Sequence, residues 1–370
     1  MRILHITNDV TDLGNGIINV AIDLAVGQAE QGHMVVIASA GGGHEPLLHR
    51  LKISHFSLDQ TRRPLPLIKA VVILSRYLRE FQPDIVHAHS RTGLVLAWLV
   101  TRFSGHPLVA HVHNVHERES AIMRLADRII VVSESVGRTM RAMGVQETKI
   151  RVVHNGPLQS PRLPSLDSVS PASIEHPAIV TVCGMNHRKG IADLITAFER
   201  VAAQILDAHL YLVGNGPEMQ LFQQQAKASP YDSRIHFEGF EPTPQSYMLA
   251  AEIFVLASRR ESFGLVLVEA RQAGCAIIAS DVDGIPEALD QGAAGILFPP
   301  SDITRLAEEM LHLLTHHHKR ISLQQKALVG IERFHYRAMA RETSEIYSEL
   351  MLERPSPRAR HMEVPMMNNE

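Results

Sequence analysis

The sequence predicts an α/β protein built from two doubly wound domains that face a cleft. Short β-branched runs alternate with amphipathic stretches of helical length along the whole chain, the pattern of parallel sheets covered by helices on both faces. The alternation breaks once, from Pro157 to Pro177, where Pro and Ser are frequent and no periodicity survives. That is the composition of an interdomain linker. The length of 370 residues is long for one compact domain and comfortable for two.

In the first half the buried-strand candidates are RILHIT, MVVIAS, IVHAHS, LVAHVH, RIIVVS and IRVVHN. Between them lie helical patterns over Gly16–Gln31, Leu65–Phe81 and Thr92–Phe103. After the linker a second series follows: AIVTVCG, HLYLVG, RIHFEGF, EIFVLAS, CAIIAS and GILFPP. Each half reads as its own Rossmann-like unit, and open sheets of this kind bind ligands beyond the C-terminal ends of their strands. The expected organisation is a first domain over 1–156, a linker over 157–177 and a second domain over 178–335. A helix over 336–352 follows, and then a patternless tail over 353–370, expected to be disordered.

Composition narrows the class. A hydrophobic fraction of 45% and a charged fraction of 20% are those of an ordinary soluble protein. Cys183 and Cys275 lie inside apolar stretches and read as small buried hydrophobes in a reducing compartment, not as a disulfide or zinc ligands. The first residues lack the apolar core of a signal peptide, and no run of eighteen apolar residues occurs, so a cytoplasmic location is expected. Residues 1–160 carry 17 Lys and Arg against 13 Asp and Glu, and the remainder 19 against 26. The basic front half suits an anionic partner or the anionic inner face of a membrane, and chance scatter of surface charge explains it equally well. No nucleic-acid partner is expected. His316, His317 and His318 are adjacent in a polar region, point in different directions on a helix, and make a poor metal site.

The stretch from Ser258 to Leu289 carries the most chemistry. Glu261 and Glu269 are separated by seven residues, the first ending a loop and the second inside the following helix. The segment between them places a glycine and unpaired backbone N–H groups where the helix begins, a ready anion site. Two carboxylates beside such a site suit a ligand that presents hydroxyls and phosphate together, as a nucleotide-sugar does. Two solvated helix carboxylates are the plainer reading of the spacing. Upstream, CGMNHRKGIADLITAF (183–198) follows a strand and opens a helix, which puts Arg188 and Lys189 where a pyrophosphate would meet cations and helix amides.

These motifs closely resemble the donor site of glycosyltransferase family four, whose members are retaining enzymes of the two-domain GT-B fold. The family's Glu-x7-Glu and Gly-x-Pro-Glu read here as Glu261 with Glu269, and Gly284-Ile285-Pro286-Glu287. The likeness implies that Glu261 contacts the transferred sugar and Glu269 the nucleotide ribose. It further implies that Phe263, Gly264 and Leu265 supply backbone amides, and that Gly184, Arg188 and Lys189 hold the diphosphate. Met185 stands where the family has an arginine, with Arg188 as its nearest substitute. In LGNGIINVAIDLA the family's glycine pair is reduced to Asn15-Gly16, leaving Gly16 to approach the donor phosphate. The family's catalytic histidine aligns with His113. His111 shares its face by the period of two and competes for the role, and a hydrogen-bonded core histidine is the plain reading of either. His111, His113 and His116 together do not have a zinc-protease spacing.

The resemblance spans nearly the whole chain to about Leu352 and implies that the final helix crosses back onto the first domain. It implies transfer of a hexose, with retention, from a UDP- or GDP-sugar to a hydroxyl acceptor such as a glycan or lipid-linked glycan. Synthesis of cell-surface polysaccharide, lipopolysaccharide or glycolipid is the expected setting, without a cofactor. Arg62, Arg63, Lys69, Arg76 and Arg79 around an apolar stretch suit peripheral contact with a membrane, and an ordinary amphipathic core helix gives the same pattern. Asp281-Val282-Asp283 reads as turn residues and not as a metal-binding Asp-x-Asp. A GT-B epimerase and a non-catalytic sugar-nucleotide-binding partner are the alternatives. A dinucleotide-dependent oxidoreductase fails because neither Gly14-Asn15-Gly16 nor Gly214-Asn215-Gly216 reaches a third glycine: Asn19 and Met219 stand there.

Overall fold

A computed structural model of the chain describes residues 1–12, 14–114 and 118–362. The chain divides into two compact units, one formed by Met1–Arg162 with Phe334–Glu370 and the other by Leu163–Arg333.

The first unit holds a seven-stranded parallel sheet of β1 (Arg2–Ile6), β2 (Met34–Ser39), β3 (Ser54–Ser57), β4 (Ile85–Ala88), β5 (Leu108–Val112), β6 (Arg128–Val131) and β7 (Ile150–Val152), in the order β3-β2-β1-β4-β5-β6-β7. All-parallel strands are covered on both faces, so β4 and β5 are buried at every position and read as continuous apolar runs interrupted only by histidine. The order turns back between β1 and β4, which makes their C-terminal ends the switch point where such sheets take ligands.

Two helices of this unit are far apart in sequence and packed together. Helix Gly16–Glu30 is buried along most of its length, and helix Tyr336–Glu353 lies against it. A Cβ at Gly27 would meet the Ala340 Cβ at 2.5 Å, so a glycine there sets how closely the helices approach. Tyr336 Oη donates to Glu30 Oε1 at 2.7 Å, Arg337 pairs with the same carboxylate at 2.7 Å, and Ser344 Oγ donates to Gln31 Oε1 at 2.8 Å. Beyond that helix the expected disorder from residue 353 is not what the structure has up to Met362. Ser356 Oγ donates to Asp84 Oδ1 at 3.2 Å, Arg354 pairs with Asp127, and a short helix spans Pro357–Met362. Small polar contacts, which leave no hydrophobic period, hold this segment.

The second unit holds a six-stranded parallel sheet of β8 (Ala178–Val182), β9 (His209–Val213), β10 (Ile235–Gly239), β11 (Ile253–Leu256), β12 (Ala276–Ser280) and β13 (Ile296–Phe298), in the order β10-β9-β8-β11-β12-β13. Its core gathers Ile191, Leu194, Ile195, Phe198 and Val201 from one face of helix Ile191–Ala202 against Ile179, Leu210, Val255 and Ile278 of the sheet. These positions follow the helical spacing on one side and fully buried strands on the other.

The stretch expected as a linker is held at both ends. Ser160 and Arg162 bond the buried Asp23 carboxylate, Arg162 at 2.7 and 2.8 Å. Ala172 N donates to Ser246 O at 2.9 Å, and Glu175 N to Tyr211 Oη at 2.9 Å. The division between units falls inside the stretch, after Arg162.

Candidate active site

The second unit brings its predicted residues to the C-terminal ends of β8 and β11. After β8 the chain makes a single turn over His187–Lys189 and enters helix Ile191–Ala202 through Gly190, whose φ is +64°. A Cβ there would lie 1.9 Å from Ala257 O, so only glycine lets this turn press against the end of β11. Arg259 N donates to Arg188 O at 2.7 Å, and the Arg259 guanidinium grips Asp193 at 2.8 and 3.1 Å. The two loops are thereby clamped, and the Lys189 ammonium forms an ion pair with the Glu261 carboxylate. Burial pulls the lysine pKa down, but the Glu261 carboxylate and the Cys183 thiol outweigh it, and the net direction is upward. Lys189 is a fixed cation, and an anion could replace or share its partner.

Gly264, at φ +87°, opens helix Leu265–Gln272 with no side-chain cap. The first amides of any helix lack intrahelical partners, and the Phe263 ring, 2% exposed, anchors the turn from below. Glu269 sits half-buried one turn into the helix, and Gly184 is exposed at the end of the β8 loop. Asp283 Oδ2 accepts from Glu261 N at 3.0 Å and Arg260 Nε at 3.1 Å, and Gly284 N donates to Glu261 O at 3.0 Å. Asp283 thus braces the Glu261 loop, a role within the turn that its φ of +46° also fits. Met185, where the motif's arginine was missed, is completely buried, its backbone tied to Asn215 O at 2.9 Å and Glu218 N at 3.1 Å.

In the first unit a pocket of about 240 Å³ opens beyond β1, β4 and β5, with Asn8, Asn15, Arg62, Arg91, His89 and His113 among its walls. Asn15 caps helix Gly16–Glu30 by accepting from Ile17 N at 3.0 Å, which explains why asparagine replaces a glycine there. Beneath the pocket five imidazoles are packed together. In register, His5 of β1 lies beside His87 of β4, and the period of two places His89 and His113 just past the strand ends. Rings of His87 and His111 stack at 5.3 Å and 3°, those of His111 and His113 at 4.2 Å and 13°. Burial pushes His5 down to about 4 and His113 down to about 3. Burial and neighbouring rings hold His87, His89 and His111 well below the ordinary histidine value. All five are neutral at neutral pH.

Two family models match the chain. Residues 14–156 match Glycosyltransferase Family 4, and residues 176–316 match Glycosyl transferases group 1. The chain belongs to glycosyltransferase family four. It is 28% identical over 174 residues to the N-acetyl-alpha-D-glucosaminyl L-malate synthase of Bacillus anthracis, a match over 47% of this chain and 45% of that protein. It is 23% identical to the phosphatidyl-myo-inositol mannosyltransferase of Mycolicibacterium smegmatis, over 94% of this chain and 93% of that one. Its fold is that of the Anabaena protein HepE solved with UDP and glucose, with a TM-score of 0.80 at 19% identity, over 94% of this chain and all of that one. The architecture is therefore GT-B, and the chain is a glycosyltransferase.

For a family-four enzyme, the residues named from sequence fall into two groups. Gly184, Arg188, Lys189, Glu261, Phe263, Gly264, Leu265 and Glu269 belong to the second unit, and Gly16 and His113 to the first. Lys189 and Glu261 are in contact, with Arg188 near enough to oppose the lysine charge. His116 lies outside the described residues. Sequence reasoning missed Gln28, His5 and His89, which bond to one another below His113, and Tyr347, which bonds His87 from helix Tyr336–Glu353. Alternating histidines in IVHAHS and LVAHVH carried the signal for a shared face, but which strands are neighbours is a matter of topology.

Proposed function

We propose that this enzyme transfers a hexose from a UDP- or GDP-linked sugar to a hydroxyl acceptor, with retention at the anomeric carbon. The observation that carries the reading is the ion pair of Lys189 with Glu261, both largely buried, beside an uncapped helix start. Lys189, Arg188 and the amides of Phe263, Gly264 and Leu265 meet the diphosphate. Glu261 takes a hydroxyl of the transferred sugar, and Glu269 the ribose. The bond from the anomeric carbon to the phosphate oxygen breaks as a bond to the acceptor oxygen forms on the same face. The acceptor proton passes to the departing phosphate. Fixed cations and amides lower the barrier by holding the charge that develops there. HepE is solved in complex with UDP and with UDP-glucose, which supports a nucleotide-sugar as donor here.

The domain over 1–156, with His113, receives the acceptor, and that over 178–335 the donor, whose phosphate Gly16 of the first domain approaches. The acceptor is a lipid-linked or growing cell-surface glycan, reached at the inner face of a membrane. No helix among the described residues is long and apolar enough to cross a membrane. Helix Pro64–Phe81 buries Ala70, Leu74, Leu78 and Phe81, yet leaves Leu65, Ile68 and Val72 exposed at 72%, 61% and 62%. Those three lie on one stripe, with Arg62, Arg63, Lys69, Arg76 and Arg79 around it. A core-facing helix accounts for the buried set and not for this stripe, whereas an anionic bilayer takes up both the apolar residues and the cations.

A donor screen tests the function. The enzyme, given a library of nucleotide-sugars and simple glycosides, should release the nucleoside diphosphate from one or a few of them, and the product should keep the donor's anomeric configuration by NMR. An inverted product, or epimerised donor with no transfer, refutes the reading.

A further inference from the structure

Three hydrogen bonds run in series below the pocket of the first unit. His5 Nε2 meets Gln28 Oε1 at 2.7 Å, His5 Nδ1 meets His89 Nε2 at 2.9 Å, and His89 Nδ1 meets His113 Nε2 at 3.1 Å. Gln28 and His5 are fully buried and His89 is 2% exposed, so water does not complete the chain. A neutral imidazole has one donor and one acceptor nitrogen. Each ring in the series therefore hands on the direction it receives. The direction is set at one end, where an amide oxygen can only accept. His5 must then donate from Nε2 and accept at Nδ1, His89 must donate from Nε2 and accept at Nδ1, and His113 must donate from Nε2. One lone pair remains, on His113 Nδ1.

We propose that Gln28, His5 and His89 are positioning residues that lock His113 as its Nε2–H tautomer, so that its Nδ1 accepts a hydrogen bond from a sugar hydroxyl in the pocket. The proposal rests on His113 acting in transfer as described above. Neutrality of all three rings follows from burial, and for His5 the Gln28 side chain draws the value partly back up, as an acceptor facing a ring N–H does. At the opposite end of the amide, Gln28 Nε2 is buried with no hydrogen-bond partner among the described residues, and the Tyr347 hydroxyl bonds His87 Nδ1.

The same rings could be read as metal ligands, because His5, His87 and His89, and likewise His89, His111 and His113, place ring nitrogens within 4.8 Å of one another. The series of bonds argues otherwise. Both nitrogens of His5 and of His89 are already engaged, and a cation would have to displace the protons between them.

The test is NMR of enzyme labelled with 15N-histidine, with no substrate present, His113 being assigned from a His113→Asn variant. Its readout is the tautomer, so it stands or falls separately from the function. The Nε2–H signature is expected for His113. Gln28→Met, which removes the acceptor, should give mixed tautomers. Turnover should fall about tenfold in Gln28→Met with little change in donor KM, the scale of one misdirected hydrogen bond. An Nδ1–H signature in the unaltered protein, or one unmoved by Gln28→Met, overturns the proposal. So does uptake of one equivalent of zinc by native mass spectrometry that His89→Asn abolishes.

Discussion

The Lys189 ammonium and the Glu261 carboxylate, 72 residues apart in the chain, form an ion pair in which the side chains are only 18% and 17% exposed. A pair so placed does little for stability, since desolvation offsets most of its Coulombic gain. It is better understood as a charge held ready. Glu261 keeps the lysine protonated and aimed, and a diphosphate that enters beside it meets a cation whose position is already fixed.

Glu261 and Glu269 should respond differently to removal. Ribose hydroxyls do not change during transfer, whereas contacts at the transferred sugar tighten as its bond breaks. Glu269→Ala should weaken binding of the bare nucleoside diphosphate by calorimetry, while Glu261→Ala leaves that affinity largely intact and lowers kcat. Equal losses of affinity in the two variants would remove the division of roles.

Membrane contact should depend on the stripe of helix Pro64–Phe81. The variant Leu65→Ser, Ile68→Ser, Val72→Ser should sediment less with anionic vesicles than the unaltered enzyme and should turn over a soluble acceptor at the same rate. Binding of the unaltered enzyme should fall as salt rises. Equal sedimentation of both proteins would show that this face does not dock.

Arg271 should matter to folding and not to chemistry. Its side chain is fully buried and donates to Ala288 O at 2.7 Å, to Ala327 O, Val329 O and Asp290 Oδ2 at 2.8 Å each. Arg271→Ala leaves three carbonyls and a carboxylate short of a donor and should cost roughly 3–5 kcal/mol. Denaturant unfolding would register that as an earlier transition of the second unit.

How much of this was legible beforehand can be judged from particular elements. The runs that begin at Arg2, Met34, Ile85, Leu108 and Arg128 all became strands, because burial on both faces demands an apolar run that survives in the sequence. β3 was missed. It is the edge strand Ser54–Ser57, with two exposed serines, and its Phe56 stacks on Tyr77 at 4.0 Å. The spacing of Glu261 and Glu269 pointed to a site, but their braces did not show, because Arg259 with Asp193 and Asp283 with the Glu261 amide are long-range pairs without a local pattern. The Gln28 series was illegible for the same reason: it joins a helix to the ends of three strands.

The histidine cluster should make the first unit acid-sensitive. His5 has its folded pKa pushed from 6.5 down to about 4 by burial. Between those values the unfolded chain binds the proton and the folded one does not, so stability falls as pH drops from about 6.5 and levels off below about 4. The loss from this ring alone is about 3 kcal/mol. Thermal unfolding followed across that window should show it, and His5→Gln should flatten the slope. A slope that is unchanged in the variant would mean that His5 is not the group responsible.

The most direct test of the account is turnover of Lys189→Ala measured with and without a chelator. If Lys189, Arg188 and the helix amides hold the leaving diphosphate, the unaltered enzyme should keep its rate in excess chelator. Lys189→Ala should then lose about a hundredfold or more in kcat, the scale of one preorganised charge-stabilising group, and Arg188→Ala should lose less. Activity abolished by the chelator and restored by magnesium or manganese, with Lys189→Ala near the unaltered rate, would contradict it.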